Sequence, residues 1–526
     1  MSTASTDKLR PAQHQETAFP TSTVRRWIVI LPLVAALGML LAHFVLELCS
    51  SIVLIGYPFG ADYGEGIVWQ QMRNIMAGKG YGPLGIFPAI VYHYPPVFHV
   101  TSGLLSSLLG SDELGTGRAV SFISTLATVP LLGLIAIWLG GTNNDRLAAI
   151  AGGALVGLIF LSCQPVAEWA PLMRVDMIAL LFSMAGLVLS LRAISRPGLL
   201  HLAALCFTLS VYSKQVSIAA PAAAFLGLLT VRPRLAVKLT LLTIAQSGLV
   251  LLLLSWMTHG YFLRHIILYN VNRMSPNGLS ALVQPLRQHA FYIVLACAGA
   301  GLLLYRLTKS WRQRSAQPFM IAAIVATLAY FVLKTLMLAM IMKSGSSINY
   351  VVEWLGAVAI LDGVAILPAV EIAVGAFRGR VEAERNAGWA ALLLTAVTLQ
   401  AGWLPSIALS AADARLGATK AERIVRLIRH TPRPVISDDM TLLIRAGRRV
   451  EWEPSIAAEL GATGRYDEPT FVKMVRERRF GMFITEGDRG DPIYDSRYNP
   501  AVADAIATYY PREYRVDRFT IHAPKG

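Results

Sequence analysis

Long apolar runs separated by short polar breaks make up most of the chain, near residues 27 to 55, 119 to 139, 147 to 163, 176 to 194, 199 to 213, 216 to 230, 239 to 257, 289 to 306, 318 to 341, 349 to 370 and 387 to 408. A helix crossing a bilayer core of about 30 Å needs roughly 20 apolar residues, so these about eleven runs predict an α-helical polytopic membrane protein. The apolar stretch 97 to 109 is shorter and reads as a helix lying in the membrane interface. With that reading, the basic groups Arg146, Arg192 with Arg196, Arg232 with Arg234 and Lys238, Arg306 with Lys309, Arg312 and Arg314, and Arg378 with Arg380 and Arg385 all share the side of the N-terminus. Positive loops face the cytoplasm, which places the N-terminus inside a cell inner membrane and the first loop outside it.

That first outer loop, 56 to 118, breaks the apolar pattern most sharply. Tyr63 to Met76 carries Val68, Trp69, Met72, Ile75 and Met76 on one face and Gln70, Gln71, Arg73 and Asn74 on the other, which predicts a second interfacial helix. From about residue 409 the pattern turns soluble, with a helix over 421 to 429, strands at 434 to 437 and 480 to 485, a helix near 470 to 478 and a hairpin over 514 to 522. The predicted division is a disordered cytoplasmic N-terminus (1–26), a transmembrane part (27–408) and a small extracytoplasmic α/β domain (409–526).

Composition agrees: 55% of the 526 residues are hydrophobic and 15% charged, with a mean hydropathy of +0.52. The net charge of +15 is confined to the loops between runs, so it reports topology and argues against a nucleic-acid partner. All four cysteines lie in apolar segments, which supports neither a disulfide framework nor a cysteine zinc site.

Candidate chemistry gathers on the outer side. Asp62 and Glu65 lie one helical turn apart and would share a face, although an Asp followed three residues later by Glu also caps a helix start. His93 and Tyr94 precede two prolines and suit a headgroup belt or a sugar face. Arg174 and Asp176 stand at the mouth of one run, and Lys214 interrupts two others. Lys334 lies inside a run, where a charge costs about 2.5–3.5 kcal/mol to insert, so it needs a partner or a wet cavity. Asn349, Tyr350 and Glu353 open the next run, and Glu353 needs a basic partner.

In this order, Asp62-Tyr-Gly-Glu65, Gly78-Lys-Gly-Tyr81, Tyr94-Pro-Pro96, Arg174-Val-Asp176, Lys214-Gln215 and Asn349-Tyr350 with Glu353 resemble the GT-C membrane glycosyltransferases, in the branch of protein O-mannosyltransferases and aminoarabinose transferases. The resemblance covers about residues 25 to 410 and implies inverting transfer of a sugar from a polyprenyl-phosphate donor to a hydroxyl of a lipid, glycan or protein acceptor. It implies Asp62 as the first-loop catalytic carboxylate and Asp176 as the second, with Glu65 beside them. Adjacent Asp-Glu is usual in the O-mannosyltransferases, and this chain departs from it. His93, Tyr94, Arg174, Lys214, Lys334, Asn349, Tyr350 and Glu353 would bind substrate. No cofactor is required by the residues, and a divalent metal at Asp62 is the one candidate. A transporter or lipid flippase, or a scaffold without catalysis, are the other readings the polar residues allow.

Overall fold

The computed structural model describes residues 21–141, 145–270, 272–313, 317–380, 383, 385–406 and 408–525; the segment expected to be a disordered N-terminus lies outside them up to residue 20, as does Arg314. The helices of the membrane part are α1 (Thr21–Ile55), α2 (Tyr63–Met76), α3 (Val97–Leu109), α4 (Glu113–Gly140), α5 (Arg146–Ser162), α6 (Gln164–Trp169), α7 (Asp176–Arg192), α8 (Leu199–Val211), α9 (Ala219–Leu229), α10 (Pro233–Met257), α11 (Tyr261–Leu263), α12 (Val283–Gln288), α13 (Ala290–Gln313), α14 (Pro318–Met337), α15 (Asn349–Phe377) and α16 (Ala387–Trp403). Among the described residues, six helices are long and apolar enough to cross a membrane: α1 from Arg26, α4, α10, α13, α14 extended to Met342, and α15.

The other expected spans form shorter apolar helices of 17, 17, 13, 11 and 17 residues (α5, α7, α8, α9 and α16). At 1.5 Å per residue these rise about 17 to 26 Å, less than the core thickness. Helices α8 and α9 stop on either side of residues 212–218, and that break holds Lys214. Helix α3, with 13 residues, is too short to span. Helix α15 is the centre of the bundle, packed against α1, α4, α5, α13, α14 and α16. Small residues let helices meet closely: a methyl group on Gly299 of α13 would stand 2.1 Å from the carbonyl oxygen of Leu361.

The C-terminal part is α/β. Helices α17 (Ala411–His430), α18 (Met440–Arg445), α19 (Pro454–Ala462), α20 (Glu468–Arg476), α21 (Pro492–Arg497) and α22 (Pro500–Tyr509) surround strands β1 (Val435–Ser437), β2 (Met482–Glu486), β3 (Arg512–Val516) and β4 (Phe519–Ala523). The sheet order is β1-β2-β4-β3. Strands β1 and β2 are parallel, with Val435 opposite Met482, while β4 runs antiparallel to both its neighbours. Both strands and the hairpin expected from alternation are present; α18, α19, α21 and α22 are additions, and three of these four begin at or beside a proline that fixes the first turn.

Helix α2 departs from the interfacial expectation. Its Ile67, Val68, Trp69 and Met72 are buried in one core with Met440, Leu442, Leu443 and Ile444 of α18 and with Ile484 and Ile521 of the sheet. The C-terminal part covers the apolar face that a membrane surface was expected to cover.

Candidate active site

The site grows from the start of α2. Asp62 is the N-cap residue, in extended conformation, and its Oδ2 accepts a hydrogen bond of 2.8 Å from the Gly64 amide. The same oxygen is ion-paired with the guanidinium of Arg174, which comes from the link between α6 and α7. A Cβ at Gly64 would sit 2.1 Å from Nη1 of Arg174, so glycine is what lets the guanidinium lie over the first turn. Capping and pairing therefore fall on one oxygen, and Oδ1 makes no hydrogen bond to the described residues.

A second cluster adjoins it. Asp176, at the start of α7, accepts from Lys214 Nζ at 2.5 Å and Asn349 Nδ2 at 2.9 Å on Oδ1, and from Trp169 Nε1 at 2.8 Å on Oδ2. Lys214 also stands over the Tyr350 ring at 4.8 Å, and Arg174 over the Trp169 ring at 5.2 Å.

Arg174, Lys214, Asn349 and Tyr350, though not Asp176 itself, line a cavity of about 180 Å³ together with His93 and Tyr94. Four buried atoms on that lining have no hydrogen-bond partner among the described residues: His93 Nε2, Arg174 Nε, Gln215 Oε1 and Asn349 Oδ1. Buried polar atoms are normally satisfied, so convergent unsatisfied ones mark a place for a polar ligand. Burial, with Lys343 and His265 adding to it, lowers the His93 pKa to about 3, so this ring is neutral at working pH. Asp62 itself lines a second cavity of about 510 Å³ with Glu47, Ser50, Ser51 and Glu168. Trp169 borders both, so the Asp62–Arg174 pair stands in the partition.

No family model matches the chain, and no curated protein matches it. Among solved structures, ArnT from Cupriavidus metallidurans bound to undecaprenyl phosphate is similar with a TM-score of 0.54 and 15% identity, covering 91% of this chain and 97% of that one. The Archaeoglobus fulgidus oligosaccharyltransferase AglB, in complex with an inhibitory peptide and a dolichol-phosphate, is similar with a TM-score of 0.53 and 11% identity, covering 92% and 74%. The chain has the GT-C fold.

On that fold, three residues expected at the site lie elsewhere. Glu65 does not share a surface with Asp62: it is fully buried and bound to Arg118 of α4, which donates from Nε at 2.8 Å and Nη2 at 2.7 Å. Its oxygens also accept from the amides of Met173 and Ala61, both at 2.8 Å. Burial would raise this carboxyl, but Arg118 and the amides outweigh it and hold it below its ordinary value. Arg118 further donates to the carbonyls of Leu54, Tyr57 and Phe59, so the pair fastens α1, the first loop, α2 and α4 together. Lys334 of α14 and Glu353 of α15 are ion-paired with each other, and neither lines the two cavities. The partner that each charge required in the sequence is the other one.

For the divalent ion expected at Asp62, the protein offers a sparse donor set. The described residues contain no group of three His, Cys, Asp or Glu placed to hold one. Glu65 is spent on Arg118 and Oδ2 of Asp62 is held by Arg174, which leaves Oδ1 of Asp62 to face an ion. An AglB structure in complex with Zn and sulfate, TM-score 0.50 and 13% identity with 86% and 68% coverage, is a further similar structure.

Sequence reasoning missed Lys343, whose Nζ donates to Asn270 Oδ1 at 2.7 Å, and Glu453 and Ser455 of the C-terminal part, all on the first cavity. The Ser344–Ser347 loop, rich in small polar residues between two apolar runs, is the one local signal that pointed there.

Proposed function

We propose that the chain is a membrane glycosyltransferase that moves a sugar from a polyprenyl-phosphate carrier to an acceptor hydroxyl, with inversion at the anomeric carbon. The observation that carries this is the position of Asp62 between a cation-lined cavity and a second one. Arg174, Lys214 and Lys343 supply the first with donors for a phosphate. The acceptor hydroxyl reaches Asp62 from the second cavity and gives its proton to the free carboxylate oxygen. Its oxygen forms the new bond to the anomeric carbon as the bond from that carbon to phosphate oxygen breaks, and the charge left on phosphate is stabilised by the three cations. Because Arg174 touches Asp62 and also faces the first cavity, it holds base and leaving group in fixed relation. Lipid-phosphate ligands in the similar ArnT and AglB structures support the carrier class. The transporter reading loses its motivating residues, since Lys334 and Glu353 neutralise each other.

The outer loop, the site and the domain from residue 409 are placed outside the inner membrane in this proposal, with the basic loops cytoplasmic. Transfer from labelled undecaprenyl-phosphate sugars to lipid, glycan and protein acceptors tests the reaction. Asp62→Asn keeps a cap, since Asn caps about as well as Asp, but lowers turnover about 10²- to 10⁴-fold. Near-normal turnover in that variant would remove Asp62 from the chemistry.

A further inference from the structure

The first cavity is bordered by the C-terminal part, and its chemistry there differs from that of the membrane part. Helix α19 brings Glu453, Ser455 and Ile456 to the lining. Glu453 Oε1 accepts from the Tyr63 hydroxyl at 2.6 Å, and Oε2 accepts from the Ile456 amide at 3.1 Å, capping α19. The Ser455 amide donates to the same Tyr63 oxygen at 3.2 Å. Tyr63 follows Asp62 directly, so this corner is tied to the proposed base. At its far end α19 is fixed to two outer loops, with Glu459 accepting from Ser344 Oγ at 2.7 Å and Arg273 Nε at 3.2 Å.

Glu453 is 5% exposed and makes no ion pair among the described residues, although Arg174, Lys214 and Lys343 line the same cavity. A buried carboxyl of this kind opposes a ligand that is only an anion. Its remaining lone pairs suit a ligand that brings hydroxyl donors, and the Ser455 hydroxyl, unbonded within the described residues, offers both a donor and an acceptor. The cavity is thus divided into cations from the membrane part and a carboxyl with a hydroxyl from the C-terminal part.

Resting on the glycosyl-transfer reading, we propose that Glu453 and Ser455 bind the ring hydroxyls of the donor sugar, so that the C-terminal domain reads the sugar while the membrane domain holds the phosphate. Burial, which raises the Glu453 pKa to about 7, lets this carboxyl both accept and donate near neutral pH.

The test compares full-length wild type, Glu453→Gln, Ser455→Ala and Lys214→Met in nanodiscs, binding undecaprenyl phosphate, undecaprenyl-phosphoglucose and undecaprenyl-phosphomannose. In wild type at least one sugar-bearing lipid binds more tightly than undecaprenyl phosphate. Glu453→Gln, which keeps an acceptor for the α19 cap, weakens that lipid about tenfold and Ser455→Ala less, while bare undecaprenyl phosphate stays within about twofold. Lys214→Met weakens all three. Equal weakening of sugar-bearing and bare lipid by Glu453→Gln, no effect on either, or no gain from either sugar in wild type overturns the proposal and leaves the phosphate site standing. Absence of Lys214-dependent binding of undecaprenyl phosphate itself removes the glycosyl-transfer reading and this proposal with it.

Discussion

Replacing Glu65 by Gln separates stability from chemistry in the first loop. Glu65 accepts four hydrogen bonds, two from Arg118 and one each from the Met173 and Ala61 amides. Gln has one acceptor oxygen and turns its NH₂ toward donors, so one side of that set loses its partner and meets repulsion. The guanidinium of Arg118 stays, fully buried, beside a neutral residue. Removing one partner of a buried ion pair costs about 3–5 kcal/mol, mostly because the other charge is left uncompensated. Arg118 keeps its three carbonyl partners, which places the loss at the lower end of that range. Thermal unfolding in detergent, followed by size-exclusion of the heated sample, should show Glu65→Gln well below wild type and Asp62→Asn close to it. Turnover should show the reverse order once the folded fraction is normalised. The double variant Glu65→Gln with Arg118→Met should recover part of the stability. A Glu65→Gln protein that melts like wild type but has lost transfer would refute the argument and return Glu65 to the catalytic group.

Lys334→Met should destabilise by a similar mechanism, and adding Glu353→Gln should restore much of the loss; undecaprenyl phosphate affinity of the folded fraction should stay unchanged, and a selective loss of it would put Lys334 back at the donor. Glu453 gives a pH dependence. Burial raises its folded pKa from 4.5 to about 7, so the folded protein keeps a proton that the unfolded chain has released across that interval. Its contribution is complete below about pH 4.5 and declines through pH 7, by about 3 kcal/mol. Wild type should lose stability relative to Glu453→Gln between pH 5 and pH 8 on that scale, and a flat difference would refute it. Topology is testable in a cysteine-free background, where a cysteine at Ser496 should react with an impermeant reagent on intact cells and one at Thr308 only after permeabilisation; reaction of both without permeabilisation would reject the proposed orientation.

Apolar run length was enough to find the helices of the membrane part, because a bilayer leaves little choice of backbone structure. It overestimated α8 and α9, whose expected runs extend into the break at residues 212–218 that holds Lys214. The grouping of Asp176, Lys214, Asn349 and Tyr350 was legible because polar residues at the mouths of apolar runs have few other reasons to be there. Glu65 was not, since its partner Arg118 lies 53 residues on, at the far end of the first loop, and no local spacing links the two. Glu453 was hidden for a related reason. A Glu before Pro and Ser reads as an ordinary helix start, and that local role is real; only the tertiary contact with Tyr63 shows the second one.

Helix α2 and α18 complete each other's core while lying far apart in the sequence, and this has a consequence for biosynthesis. Residue 76 leaves the ribosome about 365 residues before α18 does. At about 5–20 residues per second, the apolar side of α2 waits roughly 20 to 70 s for its cover. During that interval it needs a temporary partner, either the lipid surface beside it or a chaperone. The candidate site is therefore assembled only after the last apolar run has been made, and a chain interrupted before residue 440 leaves a membrane bundle with an uncapped, sticky first loop.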